Sequence, residues 1–447
     1  MSRTRMGEPS LLARRLRIEG PSGTYARARA HLAERRRANR FRPAPAGWAP
    51  RDPVPVLHVF PTFPTTPFGG VEVQLRARLD TDDHPWALLR RVGPETWRLE
   101  VSAAGERVSI EYRARPADAL TLESPELEDL VREAARRVGA RILHFETALG
   151  FPLSSLRSLA RRDAPLVLSV HDFALFCPRP HLYSPELRSF CEYSTDAATC
   201  HRCLLRSWPD VAAEAQANRR SVVPALFESC ARVVFPSEFL RRQHEVLFGT
   251  GTLRRALVVP PLSSDTEAPA RGGGRVRRVA FLGGGHVHKG VECFAEVVAH
   301  TRRLDLRFVV YGGDPPDGLE SLRRLPAVRI RGTYLPGTLA QLLRRDAIDL
   351  ALLLPAVPES YCLALDECVL AGVPVIALAR GALCDRVGEL EAGWLVPPEE
   401  GTAGVVARLE ALCKEQRVAA VPEASRQRLV ERRRHTLETW SRLYGEL

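Results

Sequence analysis

Lysine is almost missing from this chain. Of its 64 basic residues, Lys289 and Lys414 are the only lysines and the other 62 are arginine. Ordinary surface charge is therefore written as arginine, and a lysine at a structured position needs a reason of its own. Long apolar runs are lacking too. None approaches the roughly 20 residues that cross a bilayer, and the arginine-rich start has no apolar segment of the secretory type. A cytoplasmic protein is expected. Disulfide patterning is also lacking: ten cysteines are scattered, with Cys293, Cys362 and Cys368 inside apolar segments, which suits reduced thiols in a reducing compartment. Finally, the net charge of +11 is not spread over the chain. Twelve arginines and three glutamates between Met1 and Arg42 account for +9 of it. The remainder is nearly balanced, so a nucleic-acid partner would rest on the tail alone and is not expected.

What is present reads as a soluble globular protein of more than one core. A length of 447 residues exceeds one ordinary hydrophobic core, and 45% hydrophobic with 26% charged residues can fill two. Residues 1–50 form a basic lead-in ending in Pro-rich sequence. Residues 51–262 alternate strand and helix, with strands at Val54–Phe60, Arg141–Phe145, Leu166–Val170 and Arg232–Phe235, helices at Val71–Leu79 and Pro152–Ala160, and two or three amphipathic strands between Trp86 and Arg113. A Ser/Gly/Ala/Pro-rich stretch at 263–274 is the expected linker. Alternation then resumes over 275–425, with strands at Val276–Leu282, Leu306–Tyr311, Val328–Ile330, Leu350–Leu354, Val373–Leu378 and Trp394–Val396. Residues 426–447 form a closing helix. Such alternation predicts an α/β protein of two Rossmann-like, doubly wound domains facing a cleft.

Ligands of open parallel sheets bind beyond the carboxyl ends of the strands, and two segments there are informative. The first is Gly283-Gly284-Gly285-His286-Val287-His288-Lys289-Gly290, a glycine-rich loop leading into a helix. Its amides can approach an anion, the helix N-terminus favours negative charge, and Lys289 adds a compact ammonium suited to phosphate. The second runs from Pro358 to Gly372. Glu359 precedes a helix and Glu367 lies within it, about 9 Å along the axis if Tyr361 is the first helical residue. Glu367 sits among Leu363, Ala364, Leu365, Val369 and Leu370, where an unpartnered carboxylate is costly to bury. A ligand reaching both carboxylates must run along the start of this helix, as a sugar nucleotide would, with a hexose at one end, a ribose at the other and a diphosphate between.

Two glutamates in this spacing ahead of an Ala-Gly-Val-Pro-Val-Ile run, with the glycine-rich loop and Lys289 upstream, resemble glycosyltransferase family 4. The resemblance extends from about Val54 through Pro398 and includes Gly69-Gly70, His171-Asp172-Phe173, Pro236-Ser237-Glu238-Phe239 and Gly381-Ala382-Leu383. It implies the GT-B architecture and transfer of a sugar from a nucleotide-diphosphate sugar to a glycan, lipid-linked or small-molecule acceptor, with retention and with no metal or cofactor, the nucleotide sugar being a substrate. By the same resemblance Glu359 binds hydroxyls of the donor sugar and, with His171 near the reacting sugar, forms the catalytic pair. Glu367 takes the ribose hydroxyls, and Lys289 the diphosphate. Gly69, Gly70, Gly284 and the Ser360, Tyr361, Cys362 and Leu363 segment complete the donor site. The family usually carries Arg where this chain has Gly284, and His286 and His288 are expected to compensate in part.

Other readings stay open at this stage. A nucleotide-sugar epimerase of similar fold, or a non-catalytic nucleotide-sugar-binding protein, would carry many of the same motifs. Cys177, Cys191, Cys200 and Cys203 either hold a structural zinc or are free thiols. Leu11, Leu12, Leu16 and Ile18 among Arg14, Arg15 and Arg17 offer a face for peripheral contact with an anionic membrane at its inner surface, the alternative being a solvated arm. Trp440 and Tyr444 are expected to be packing residues.

Overall fold

A computed structural model describes residues 11–62, 70–81, 85–162, 164–262, 273–313, 315–415 and 417–447. The chain divides into two compact units. One comprises residues 34–262 with 431–447, and the other comprises residues through Ala33 with 263–430. The expected linker at 263–274 falls mostly outside the described residues.

In the unit holding residues 273–430, six strands form one parallel sheet. In spatial order they are Val328–Gly332, Arg307–Tyr311, Arg278–Phe281, Leu350–Leu353, Val375–Leu378 and Gly393–Val396. Numbered along the chain this is 3-2-1-4-5-6, the Rossmann order. The four inner strands are near-continuous apolar runs because both faces are covered, and the side-chain alternation of a strand divides them between two cores. Val279, Phe281, Leu350, Leu352, Ile376 and Leu378 point to one face, where Phe294 and Val297 of the helix Val291–His300 and Leu409 of the helix Gly401–Lys414 cover them. Ala280, Ala351, Val375 and Ala377 point to the other, under Leu343, Leu365, Val369 and Val387. The Phe294 ring is fully buried, stacked on Phe281 at 4.5 Å and edge-on to Phe308 at 5.7 Å.

The other unit has a nine-stranded sheet among the described residues. Its parallel part runs Trp86–Arg91, Val56–Phe60, Ile142–Phe145, Leu166–Ser169, Arg232–Phe235 and Ala256–Val258. Thr96–Ala103 and Glu106–Arg113 extend it as an antiparallel meander from Trp86–Arg91, so the span from Trp86 to Arg113 holds three strands. The helix Pro125–Val138 is not among the expected elements, although its buried Leu127, Leu130, Val131, Ala134 and Val138 follow helical spacing. Ser124 caps its amino end and Gly139, at φ 66°, ends it in the left-handed conformation that glycine adopts without strain. Trp440 and Leu443 near the chain end pack with Val56, Ile142, Val167 and Val234 of this sheet.

The basic lead-in is a helix, Leu11–Ala38, despite Pro21 within it. It is not a solvated arm. Ile18 is buried in a core of the 273–430 unit, and Arg27 is buried with its Nη2 donating to Thr333 Oγ1 at 2.6 Å. Nearer its start, Arg17 pairs with Glu320 at 2.9 Å.

Phe294 is a fair test of this packing. Phe294→Ala should cost the 273–430 unit about 3–5 kcal/mol, read as a lowered urea midpoint for that unit's transition. An unchanged midpoint would mean the double-sided core is misassigned.

Candidate functional site

The strand order itself brings the two suspect loops together. The sheet reverses direction of winding between Arg278–Phe281 and Leu350–Leu353, and the crevice at such a switch point is where doubly wound folds take ligands. Out of the first strand comes the 282–290 loop. Out of the second comes the 354–362 loop. The Ala356 N–H donates to the His288 carbonyl at 3.0 Å, joining them directly. Gly290, at φ 86°, stands where a Cβ would come within 1.7 Å of the Leu354 carbonyl oxygen, so only glycine lets the backbones approach this closely. Gly284, at φ 57°, donates its N–H to the Tyr311 carbonyl at 3.1 Å.

Lys289 ends the short 3-10 turn Val287–Lys289 and reaches across to the second loop. Its Nζ lies 2.7 Å from Glu359 Oε1, with 38% of the lysine side chain exposed against 10% of the glutamate. Burial draws the ammonium's pKa down, but the Glu359 carboxylate, aided by Cys362, more than offsets it and leaves the lysine above its ordinary value. Glu359 is held from behind by the Gly381-Ala382-Leu383 segment. It bridges to Gly381 in parallel fashion, and the Ala382 N–H donates to its carbonyl at 2.8 Å. A Cβ on Gly381 would stand 2.3 Å from that carbonyl oxygen.

The helix that follows is Leu363–Ala371, not one beginning at Tyr361. Cys362 is the residue before it, at φ 72°, an unusual conformation for a side-chain-bearing residue and one that holds strain next to the site. Glu367 therefore lies about 6 Å past the helix start, not about 9 Å. The conformation is fixed by a buried network that the sequence did not reveal. Arg386 forms an ion pair with the fully buried Asp366, donates to the Tyr361 and Cys362 carbonyls, and stacks over the Tyr361 ring at 3.6 Å. The Tyr361 hydroxyl donates to Asp366 at 2.9 Å. Asp366 and Glu367 are adjacent carboxylates on an apolar helix. That adjacency was a signal, because consecutive helical residues point about 100° apart and cannot share one task.

Glu367 points elsewhere. Burial, then the neighbouring Asp366 charge, pushes its pKa up to about 8, although the Leu339 backbone N–H donates to it. At neutral pH it is mostly a protonated acid. The partly buried Tyr334 faces the same carboxyl.

His171, Asp172 and Gly70 belong to the other unit. Gly69 lies outside the described residues, and Gly70 is the exposed first residue of the helix Gly70–Thr81. His171 follows the strand Leu166–Ser169 as expected. Its ring donates to the Glu146 backbone carbonyl, and burial, reinforced by the Arg78 charge, brings its pKa down to about 4, so the imidazole is neutral at physiological pH. Asp172 accepts from the Ala174 N–H at 2.8 Å and fixes the turn beyond it. Beneath lies a buried polar cluster. Glu146 pairs with Arg78 and sits 2.7 Å from His58 Nδ1, and His144 bridges Ser169 at 2.8 Å and Tyr444 at 2.7 Å. His58, His144 and Glu146 are near enough to hold a cation, but Arg78 already supplies Glu146 with its counter-charge, so the trio is a structural network.

Residues 276–415 match the family described as Glycosyl transferases group 1. The fold is that of the GT-B glycosyltransferases. Over nearly its whole length the chain is similar to Anabaena HepE solved with UDP and glucose, at 15% identity and a TM-score of 0.56, covering 87% of this chain and 99% of that one. It is similar as well to a glycosyltransferase from Rickettsia africae, at 13% identity and 0.57, covering 88% and 98%. Sucrose-phosphate synthase from Thermosynechococcus elongatus gives 16% identity and 0.54, covering 88% and 96%. No curated protein matches the chain in sequence. The segment matched by that family contains Lys289, Glu359, Glu367 and the Asp366–Arg386 pair.

Glu367 gives a pH signature. Its folded pKa of about 8 stands above the unfolded value of 4.5, so the folded chain alone holds this proton between those values. Stability is full below the unfolded pKa and declines, by a few kcal/mol at most, as pH rises through about 8. Glu367→Gln should flatten that decline in thermal melts taken from about pH 5 to pH 9; a variant with the parent's full slope would count against the raised pKa.

Proposed function

We propose that this glycosyltransferase moves a sugar from a nucleotide-diphosphate donor, bound at the switch point of the 273–430 unit, to a glycan, lipid-linked or small-molecule acceptor. The observation that carries it is the Lys289–Glu359 pair at 2.7 Å beside the start of the helix Leu363–Ala371. An ammonium and a helix N-terminus converge on one place, which suits a diphosphate, while the carboxylate beside them suits sugar hydroxyls. In this reading the ammonium exchanges part of its contact with Glu359 for phosphate oxygen when donor binds. Glu359 then accepts from the sugar hydroxyls. The backbone of Ser360, Tyr361, Cys362 and Leu363, strained at Cys362 and braced by Arg386, holds amides ready for the same phosphates.

Glu367, as a protonated acid, has one hydrogen to donate and a carbonyl oxygen to accept, which matches a ribose hydroxyl pair. Catalysis by such a site is electrostatic and positional: the leaving diphosphate is stabilised where its charge develops. With Gly284 in place of a second cation, Lys289 bears more of that charge. We assign retention of configuration, independence of metal and kinship with glycosyltransferase family 4 on the same motifs, and on them also a catalytic role for neutral His171 and a donor-binding role for Gly69-Gly70. A nucleotide-sugar epimerase would need no acceptor, and a binding protein would show no turnover.

Lys289→Ala should weaken donor binding roughly a hundredfold, since a charge-assisted contact to phosphate is lost, measured by calorimetry with the best binder from a panel of nucleotide sugars. Unchanged affinity would place the site elsewhere. For the unaltered enzyme, slow donor hydrolysis without acceptor supports transfer, and donor binding with no turnover supports the binding-protein reading.

Contact with anionic membrane through residues 1–50 is part of the same proposal for a lipid-linked acceptor. No helix of the described residues is long and apolar enough to cross a membrane, and Ile18 is committed to a protein core, so the contact would be electrostatic through the exposed Arg35 and Arg36. Charge reversal there, Arg35→Glu with Arg36→Glu, should lower flotation with phosphatidylserine vesicles, and equal partitioning would remove the membrane role.

A further inference from the structure

Beyond His171 the chain leaves the sheet for an excursion that returns only at the helix Ala215–Ser229, and four of the ten cysteines lie in it. Their spacing is Cys177, thirteen residues, Cys191, eight residues, Cys200, two residues, Cys203. Cys177 follows a tight turn, its N–H donating to the Phe173 carbonyl at 2.9 Å. Cys191 leaves the small hairpin of Tyr183–Ser184 and Ser189–Phe190, its N–H donating to the Leu182 carbonyl at 3.0 Å. Cys200 and Cys203 lie on the helix Ala197–Leu205, capped by Asp196.

Two arginines gather these segments. The Arg220 guanidinium donates to the Phe176 carbonyl just before Cys177 at 3.1 Å and to the Ser194 carbonyl three residues past Cys191 at 3.0 Å. It also reaches Cys200 Sγ at 3.6 Å. Arg179 donates to the Cys203 carbonyl at 3.0 Å. One guanidinium thus touches three of the four cysteine segments and a second closes the fourth. The thiols lie within electrostatic reach of one another, Cys177 of Cys191 and Cys203, and Cys191 of Cys200 and Cys203.

The backbone here is also strained. Of the eight non-glycine residues with positive φ among the described residues, Leu182, Arg188, Glu192 and Tyr193 fall in this short loop, the last two consecutive and directly after Cys191. Such conformations persist only where the surroundings over-determine them. Ring contacts of Tyr193 with Phe173 and Phe190 supply part of that constraint.

We propose that Cys177, Cys191, Cys200 and Cys203 hold one structural zinc ion, which staples the excursion beside His171. Four thiolates in a closed tetrahedron, two of them from a Cys-x-x-Cys, are the donor set and count of a structural site with no open position. Zn²⁺ displaces the four thiol protons to solvent, and Arg220 and Arg179 offset the net charge of −2 left on the tetrathiolate centre. The only donor trio at mutual ligand distance among the described residues is His58, His144 and Glu146, so the four sulfurs stand further apart than a bound metal requires. Rotation of a cysteine between staggered χ1 positions moves its sulfur by about 3 Å, and the proposal requires such rotation to bring the four sulfurs onto one ion.

The test uses the full chain expressed with added zinc and purified without chelator. Elemental analysis should find one zinc per chain, released by a thiol-reactive mercurial, and cobalt exchanged into the unaltered protein should show the intense absorption of tetrahedral cobalt thiolate. The double variant Cys200→Ser with Cys203→Ser should lose the metal, whereas Cys384→Ser, altered at an exposed thiol, keeps it. Unaltered protein without stoichiometric zinc, zinc retained by the double variant, or iron with sulfide in its place would overturn the proposal. The cobalt spectrum needs no variant to fold.

Discussion

Everything at the candidate donor site depends on one constraint of topology, that the strands Arg278–Phe281 and Leu350–Leu353 are neighbours although about 70 residues separate them. A parallel sheet wound outward from its first strand must place the fourth strand beside the first. Their carboxyl-terminal loops then meet, and Lys289 finds Glu359. The approach is close enough to demand glycine at Gly290, and at Gly381 where a third loop backs Glu359. The ion pair is thus a consequence of sheet order, and its position at a helix start gives it chemistry beyond stability.

A second layer holds the first in place. Asp366 and Arg386 form a buried pair whose desolvation is costly and whose gain lies in specificity of conformation. By gripping the Tyr361 and Cys362 carbonyls, Arg386 keeps Cys362 in a conformation it would not adopt alone. The same logic recurs in the other unit. Arg78 and Glu146, with His58 and His144, form a buried network in which the Glu146 backbone carbonyl orients His171, while burial keeps that ring neutral. In both units a charged pair out of contact with solvent fixes a polar group at the end of a parallel strand.

Neighbours also divide the two glutamates by role. Glu359 faces the Lys289 ammonium, whereas Glu367 has the Asp366 carboxylate and Tyr334 beside it and is held well above the ordinary carboxylate range. Two carboxylates of identical type, eight positions apart, thereby meet opposite electrostatic surroundings. The cysteine-rich excursion differs from both sites, since its segments are gathered through backbone carbonyls by Arg179 within it and by Arg220 of the helix Ala215–Ser229.

The sequence alone determined the alternation of strand and helix, because apolar runs of strand length and helical spacing are local properties. It likewise determined the positions of Lys289, Glu359 and His171, because residues directly after a strand fall at the ligand-facing edge of a parallel sheet. The lysine stood out only because arginine supplies nearly all other positive charge. What tertiary structure decided was every partnership between distant residues: Asp366 with Arg386, Arg78 with Glu146, Arg27 with Thr333. It also decided that the basic lead-in packs as a helix, since its apolar residues among arginines fit a membrane face as well as a protein core until Ile18 is seen buried. Protonation of Glu367 belongs there too, for it reflects the dielectric of an enclosure that no local pattern encodes.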